Sequence, residues 1–550
     1  MIKYIYFLLI FFLLLSGILP AQEAIKSFEE EYYDFLVLQG ITERPALNYL
    51  TLSDSVWTVE NDASHLWQDN NLGVFHPLFG NFRVRFYGPE LLMSANTTAP
   101  YGQNDGVLWQ GRGFNSLFKA GARFEGYGVE LTLLPHFAFS QNLNFDYVQP
   151  AYSGEYFANK AEKYGYYGLP FIDAPQRFGD KFFFDWDFGD SEIRYTWKTL
   201  TAGFGTQAIW LGPARLNPII LSNNAASFPK FDIGLRRQSI ITPFKKRHIG
   251  DIEFRAWWGY LSESDYFDND VSNDHNLLTG ISVAYSFPSL FKGLTIGFNR
   301  IMLSKWESKN FSGLFTLLWP IMFGSKLGED ENDQRASVII DYSLPAGGIN
   351  IYLEWGRNDF SSNLNSTVRY PFHSQGYTFG IKKALPIKSN LTGEILLELT
   401  SLECSQDYDR VIPWPATFYS HGIITQGHTN RGQWLGAGIG TGGNSQYLGF
   451  KLYFPKGYGN IFLQRGNPDL DYTWYIDSKN TDDNNAEWNI RAFLDLGISG
   501  LYFLTSNLSV NGSLVVRDEH NPLCKYDTSV DTRSVHRINV YFAAIVKYSF

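Results

Sequence analysis

Residues 537–550 read RINVYFAAIVKYSF, and this stretch decides the fold. Ile538, Val540, Phe542, Ala544, Val546, Tyr548 and Phe550 fall on one face. Arg537, Asn539, Tyr541, Ala543, Ile545, Lys547 and Ser549 fall on the other. A period of two marks a strand, here with one apolar face and one mixed face.

A chain that stops on Phe, with Tyr two places earlier and no polar tail, resembles the closing strand of bacterial outer-membrane barrels. In that setting Phe550 and Tyr548 face lipid and Lys547 faces the lumen. A lysine on the lipid face at mid-membrane costs about 2–4 kcal/mol, which fixes the register. The composition agrees. Aromatic residues make up 17% of the 550, and barrels spend such residues on girdles at the two membrane interfaces. The mean hydropathy of −0.19 suits a barrel, in which only every second strand residue need be apolar. A net charge of −10 excludes a nucleic-acid partner, which requires a positive footprint. The two cysteines, Cys404 and Cys524, would be free to pair in an oxidising compartment, and spacing does not decide whether they do.

The other terminus carries an address. Met1-Ile2-Lys3, an apolar run from Tyr4 to Leu15, and Ser16-Gly17-Ile18-Leu19-Pro20-Ala21 read as a secretory signal over residues 1–21. The apolar run is short for a membrane-spanning helix. Phe28, Tyr32, Phe35 and Leu36 share a helical face ahead of Gly40. A second short helix is expected from Ser53 or Asp54 through Val56, Trp57 and Val59. Residues 22–75 therefore form a helical segment, in the periplasm or plugging the barrel, and residues 76–550 the barrel.

From Phe82 onward, alternation recurs. Phe82-Val84-Phe86 opposes Arg83-Arg85-Tyr87; Ile252-Phe254-Ala256-Trp258-Tyr260 opposes Asp251-Glu253-Arg255; Leu508-Val510-Gly512-Leu514-Val516 closes the series. The repetition predicts an all-β transmembrane barrel of about 18 antiparallel strands with a short N-terminal helical segment. Short connections such as 342–348 belong inside the cell envelope, and long acidic ones such as 262–276, 325–335 and 477–487 face outward.

One block stands apart: FIDAPQRFGDKFFFDWDFGDSEIRYTWKTLTAGFGTQAIWLGPARLNPIILSNNAASFPK, residues 171–230. Asp173, Pro175, Arg177, Phe178, Gly179 and Asp180, then Trp210, Gly212, Pro213, Asn217, Pro218, Ser222, Asn223, Asn224 and Ala225, resemble the Wzi family of capsule-assembly outer-membrane proteins in its Bacteroidetes-like form. Glu354, Trp355, Arg357 and Asp359 match a later block, and Tyr419, His421, Gly427, Thr429, Arg431, Gly432, Leu435 and Gly436 another. Leu211, Ala214, His428, Asn430, Lys230 and Phe360 depart from the family pattern. The resemblance implies an outer-membrane barrel of a Gram-negative bacterium that binds or organises capsular or other exported polysaccharide at the cell surface. It implies no catalysis. The polysaccharide and outer-membrane lipid are the expected partners, and the polysaccharide export machinery is a further candidate.

Sugar recognition joins a flat aromatic face to carboxylates and amides. On that basis Tyr166, Trp186, Trp210, Asn217, Asn223, Asn224, Glu354, Asp359, His421 and Arg431 are candidate polysaccharide contacts. The bland alternative for each is a packed inward loop, a girdle position or a lumenal salt bridge; Glu354, Arg357 and Asp359 fit the last. His421 and His428 lack a spaced third ligand, the acidic run 265–270 reads as a solvated loop before a calcium site, and Gly438-x-Gly440-x-x-Gly443 has no βαβ unit around it. No cofactor, metal or catalytic residue is expected. Two other classes remain: a channel selective through its charged inner face, and an outer-membrane lipid or glycan hydrolase using Glu354.

Overall fold

A computed structural model describes residues 21–22, 27–59, 64–148, 171–244, 246–268, 270–288, 291–306, 332–358, 368–369, 371–403, 417–471, 473, 490–524 and 535–550. The strands close into one antiparallel barrel of eighteen. They are β1 Arg83–Asn96, β2 Gly113–Gly126, β3 (Val129–Leu133 and His136–Ser140), β4 (Phe183–Asp187 and Glu192–Trp197), β5 Leu200–Gly205, β6 Lys230–Ile241, β7 His248–Ser262, β8 His275–Ser286, β9 Leu294–Lys305 and β10 Asn332–Leu344. The circuit continues with β11 Ile349–Asn358, β12 Gln375–Lys388, β13 Leu391–Ser401, β14 Asn444–Phe454, β15 Gly457–Asn467, β16 Ala492–Phe503, β17 Leu508–His520 and β18 His536–Tyr548.

The seam lies between the first and last strands. Lys547 pairs with Glu90 and Tyr541 with Asn96. Phe542 and Phe550 are exposed on the outer face, while Lys547 turns inward to Glu29. The alternation first seen in residues 537–550 is thus the wall of the barrel: Phe204, Leu496 and Ile498 are exposed outward, whereas Glu253, Arg255 and Trp257 are buried inward. In β1 the phase flips at Gly88-Pro89, where the register to β2 slips between Tyr87 and Glu90. Phe86 is exposed before this bulge, and Glu90 meets inward Lys119 after it. One extra residue moves every later side chain to the other face.

Short turns gather at one end of the barrel and long connections at the other. Tyr127 and Trp197 are exposed near the short turns, and Phe184 and Trp186 near the long loops, as interfacial girdles require.

The lumen is filled from both ends. Helix α1, Phe28–Leu38, is capped by Ser27, whose side chain accepts from the Glu30 amide; Gly40 follows with φ of 71°, the left-handed stop that glycine tolerates. Its aromatic face stacks Tyr32 on Trp67 at 3.9 Å and Phe35 on Tyr453 at 4.2 Å. Its acidic face is tied to the wall: Glu29 to Lys547, Glu31 to Lys451, Asp34 to Lys382. Trp67 Nε1 donates to the Phe454 carbonyl at 2.9 Å, so this unit sits at the short-turn end. The second helix expected from Ser53 does not form. Residues 56–57 are a short extended piece paired with residues 21–22. Ser53 and Asp54 serve the lumen instead of a cap: Ser53 Oγ donates to Glu192, and Asp54 receives Arg236 and Arg255 at 2.8 and 3.0 Å.

A Phe542→Lys substitution puts a charge on the outer face in the middle of β18. The expected cost is about 2–4 kcal/mol, measured by urea unfolding of vesicle-refolded protein. An unchanged midpoint would mean that this face does not meet lipid.

Candidate functional site

From the long-loop end, residues 206–229 and 417–443 fold into the lumen and pack against each other. Their backbone donors need acceptors away from water, and carboxylates on the barrel wall supply them. Glu398 of β13 accepts from the amides of Arg215, Leu216 and Asn217 at 2.6–3.0 Å, and from the Tyr352 hydroxyl. Glu354 of β11 accepts from the Ile219 amide and the Ser337 hydroxyl, both at 2.9 Å. Glu253 of β7 does the same for residues 47–49, accepting three amides. All three side chains are buried.

The two inward loops zip together. Tyr419 Oη donates to the Ile219 carbonyl at 2.8 Å and accepts from the Ala437 amide at 2.7 Å. Ser222 Oγ donates to the Gly436 carbonyl at 2.6 Å. A Cβ on Gly436 would lie 2.3 Å from Tyr419 Oη, so only glycine fits there. His428 bonds the Ile220 carbonyl through Nε2, and burial pushes its pKa well down, leaving the imidazole neutral. Asn430 donates to the Ala226 carbonyl.

The candidate residues take separate places. Trp210 is buried, pairs with Leu50 and donates Nε1 to the Ala214 carbonyl at 3.1 Å. Asn217 accepts from Gln103 at 2.7 Å. Asn223 faces an internal cavity beneath the loops. Asn224 bridges the Asn104 amide and the Trp434 carbonyl. Glu354 is occupied as described and makes no ion pair with Arg357, which donates to the His373 carbonyl instead. His421 Nδ1 accepts the amides of Ile423 and Ile424. Arg431 pairs with Asp185. Trp186 stacks against Phe137 on the outer wall. Tyr166 and Asp359 lie outside the described residues, as does Cys404; Cys524 is a free buried thiol. The candidate positions among the described residues do not converge on one site.

What does converge is a recess of about 270 Å³ at the long-loop end. Trp109, Phe145, Tyr147, Phe178 and Trp434 supply its aromatic surface, and Asp105, Gln110, Gln176 and Asn224 its polar groups. Trp109 and Phe178 are 5.3 Å apart. Gln110 donates to Asp105 at 2.7 Å, and burial pushes the Asp105 carboxyl up to about 6. Arg491 and Arg537 stand at the rim, both joined to Glu519. Of the candidates among the described residues, only Asn224 lines this recess. The signal that would have found it is the turn-rich run 101–113, YGQNDGVLWQGRG, which sets a tryptophan among amides between two strands.

The 173–180 motif holds the recess wall in place. Arg177 binds Asn144 Oδ1 and the Asn142 carbonyl at 2.8 and 3.0 Å. Asp173 accepts from the Ser264 amide and hydroxyl, each at 2.6 Å. Burial pushes Asp173 up to about 7; burial, with Asp173 and Asp268 beside it, pushes Glu263 up to about 10.

The family model for the capsule assembly protein Wzi matches residues 137–465. The chain belongs to the Wzi family. Among solved structures, it is similar to Wzi of Escherichia coli, an outer-membrane carbohydrate-binding β-barrel involved in group 1 capsule assembly. That match has 14% identity, covers 84% of this chain and 85% of that one, and has a TM-score of 0.54. OccAB4 of Acinetobacter baumannii matches with 8% identity over 86% and 98% at a TM-score of 0.39, and OprD of Pseudomonas aeruginosa with 9% over 84% and 93% at 0.36. No curated protein matches the sequence. As a closed barrel of the Wzi family, the protein resides in the outer membrane of a Gram-negative bacterium.

Two predictions follow from these contacts. Replacing Glu398 with Ala leaves buried amides without an acceptor, at about 1–3 kcal/mol for such a loss; faster proteolysis within 206–229 is expected, and an unchanged cleavage rate would show that Glu398 does not anchor the loop. Asp173 has a folded pKa above its unfolded value, so its contribution is full below about 3.8 and is lost as pH rises through about 7. Asp173→Asn should therefore melt higher than the parent at pH 8, with the advantage gone at pH 4.

Proposed function

We propose that this protein binds an exported polysaccharide at the long-loop end of its barrel and holds it at the cell surface, as a step in capsule assembly. The observation that carries this reading is the aromatic and amide-lined recess above a lumen packed with clamped loops. Trp109, Tyr147 and Trp434 offer faces for the C–H surface of a sugar ring, and Asp105 and Gln110 offer partners for its hydroxyls. Family membership supports the same role. A polymer presents the same sugar many times, so modest contacts add up through avidity.

The reading is one of binding without turnover. Glu354, the residue a hydrolase would have used, has its oxygens occupied by Ile219 and Ser337, so Glu354→Gln should leave surface glycan turnover unchanged. In the same scheme residues 1–21 are a secretory signal, residues 22–75 a lumenal plug and residues 76–550 the barrel; outer-membrane lipid surrounds the wall, and the export machinery delivers the polymer.

Deletion should leave glycan made and exported but shed into the medium. In a glycan array, the double variant Trp109→Ala, Trp434→Ala should lose binding that the parent shows; Trp186→Ala, on the outer wall, should keep it. Cell-bound glycan unchanged on deletion would refute the reading. A steady open current from the purified protein in a planar bilayer would favour the channel instead.

A further inference from the structure

We propose that Asp518, His520 and His536 form a divalent-metal site of the zinc class on the outer rim of the barrel. The strand geometry builds it. Residues 518 and 520 share a face of β17 by the period of two, and the antiparallel register sets His536 of β18 directly opposite His520. This is the outward face, since Val516 and Ile538 beside it are exposed. The neighbouring carboxylate, Glu519, faces the other way and is held by Arg491 and Arg537.

The donor atoms already converge. His536 Nδ1 lies 2.9 and 3.2 Å from the two Asp518 oxygens. His520 Nε2 lies 3.5 Å from Asp518 Oδ2. The two imidazoles are 4.2 Å apart between centroids, tilted by 57°, and one donor atom from each residue falls within 4.8 Å of the others. Bonds of about 2.0–2.2 Å in a tetrahedron place ligand atoms roughly 3.3–3.5 Å apart, so closure needs only rotamer adjustment of half-exposed side chains. A hydrogen bond from His536 to Asp518 accounts for that pair alone. It does not account for the second imidazole set close against the first, and imidazole is the commonest side-chain metal ligand. Two imidazoles and one carboxylate favour zinc, nickel or copper over calcium or magnesium. Three protein ligands leave a fourth position for water or an oxygen ligand from outside. The other cluster of this kind among the described residues, Glu263, Asp268 and Asp274, is all carboxylate and lacks that donor set.

The test is metal binding by the full-length refolded barrel in detergent, with cobalt as a spectroscopic stand-in for zinc. One equivalent of cobalt should bind, develop visible d–d bands, and be displaced by one equivalent of zinc. His520→Ala and His536→Ala should each weaken zinc binding at least about ten-fold, the loss that even outer-sphere changes cause, and His536→Gln should do the same. Heat-modifiable migration on gels reports that each variant keeps its barrel. Absence of stoichiometric binding by the parent, or equal binding by the folded double variant His520→Ala, His536→Ala, would overturn the proposal.

Discussion

The structure depends on a rule about backbone amides: a donor removed from water must find an acceptor. A barrel wall satisfies its own backbone through closure, but the segments that enter the lumen form almost no ladder with it. Residues 47–49, 215–217 and 219 instead present their amides to Glu253, Glu398 and Glu354. Each glutamate projects from a strand whose alternate side chains face lipid. A carboxyl group offers several lone pairs, so Glu253 and Glu398 each hold three consecutive amides where an amide side chain would hold fewer. These inward side chains therefore act as anchors for chain that would otherwise lack acceptors.

Further lumenal charges among the described residues pair with one another. Arg194 joins Glu192 and Asp232, Arg255 joins Asp232 and Asp54, and Arg236 joins Asp54 and Glu130. Asp54 belongs to the N-terminal segment, so the network crosses from wall to plug. Breaking one member would leave the others buried and unpaired, which is where such networks become costly. A selective pore needs side chains that present charge to a passing solute; the charges of this network are spent on one another.

The wall was legible in the sequence because its physics is local. Two-residue periodicity, outward aromatics and inward charges can each be read along one strand, and Phe542, Lys547 and Glu253 stand where alternation puts them. The flip at Gly88-Pro89 was less legible, since a bulge is a pairing event between β1 and β2. The site was harder still. Trp210 and Asn217 have the chemistry of sugar contacts, but their environment depends on Leu50, Ala214 and Gln103, and no local pattern shows whether a tryptophan packs inward or stays open. Ser53 and Asp54 looked like a helix start because capping residues and lumenal ion-pair residues are the same residue types. Glu354 sat in a suggestive block with Arg357, yet its partner is an amide 135 residues away.

The family motifs take on a different meaning once placed. Asp173 and Arg177 fix the recess wall through Ser264, Asn142 and Asn144; Ser222 and Asn224 lock one inward loop to the other. Each of these polar side chains is consumed by backbone groups or by other side chains, and a group so consumed would have to abandon its partner to meet a sugar. Motif residues Phe178 and Asn224 reach the recess wall, but Trp109, Gln110, Phe145 and Tyr147 come from segments outside those motifs. Such a division follows from what each part must do. The scaffold has a single backbone path to satisfy, whereas the binding surface must follow the chemistry of whichever glycan the cell exports. Change in ligand specificity is therefore expected to fall on the 101–113 and 145–148 segments while the clamped loops beneath them stay as they are.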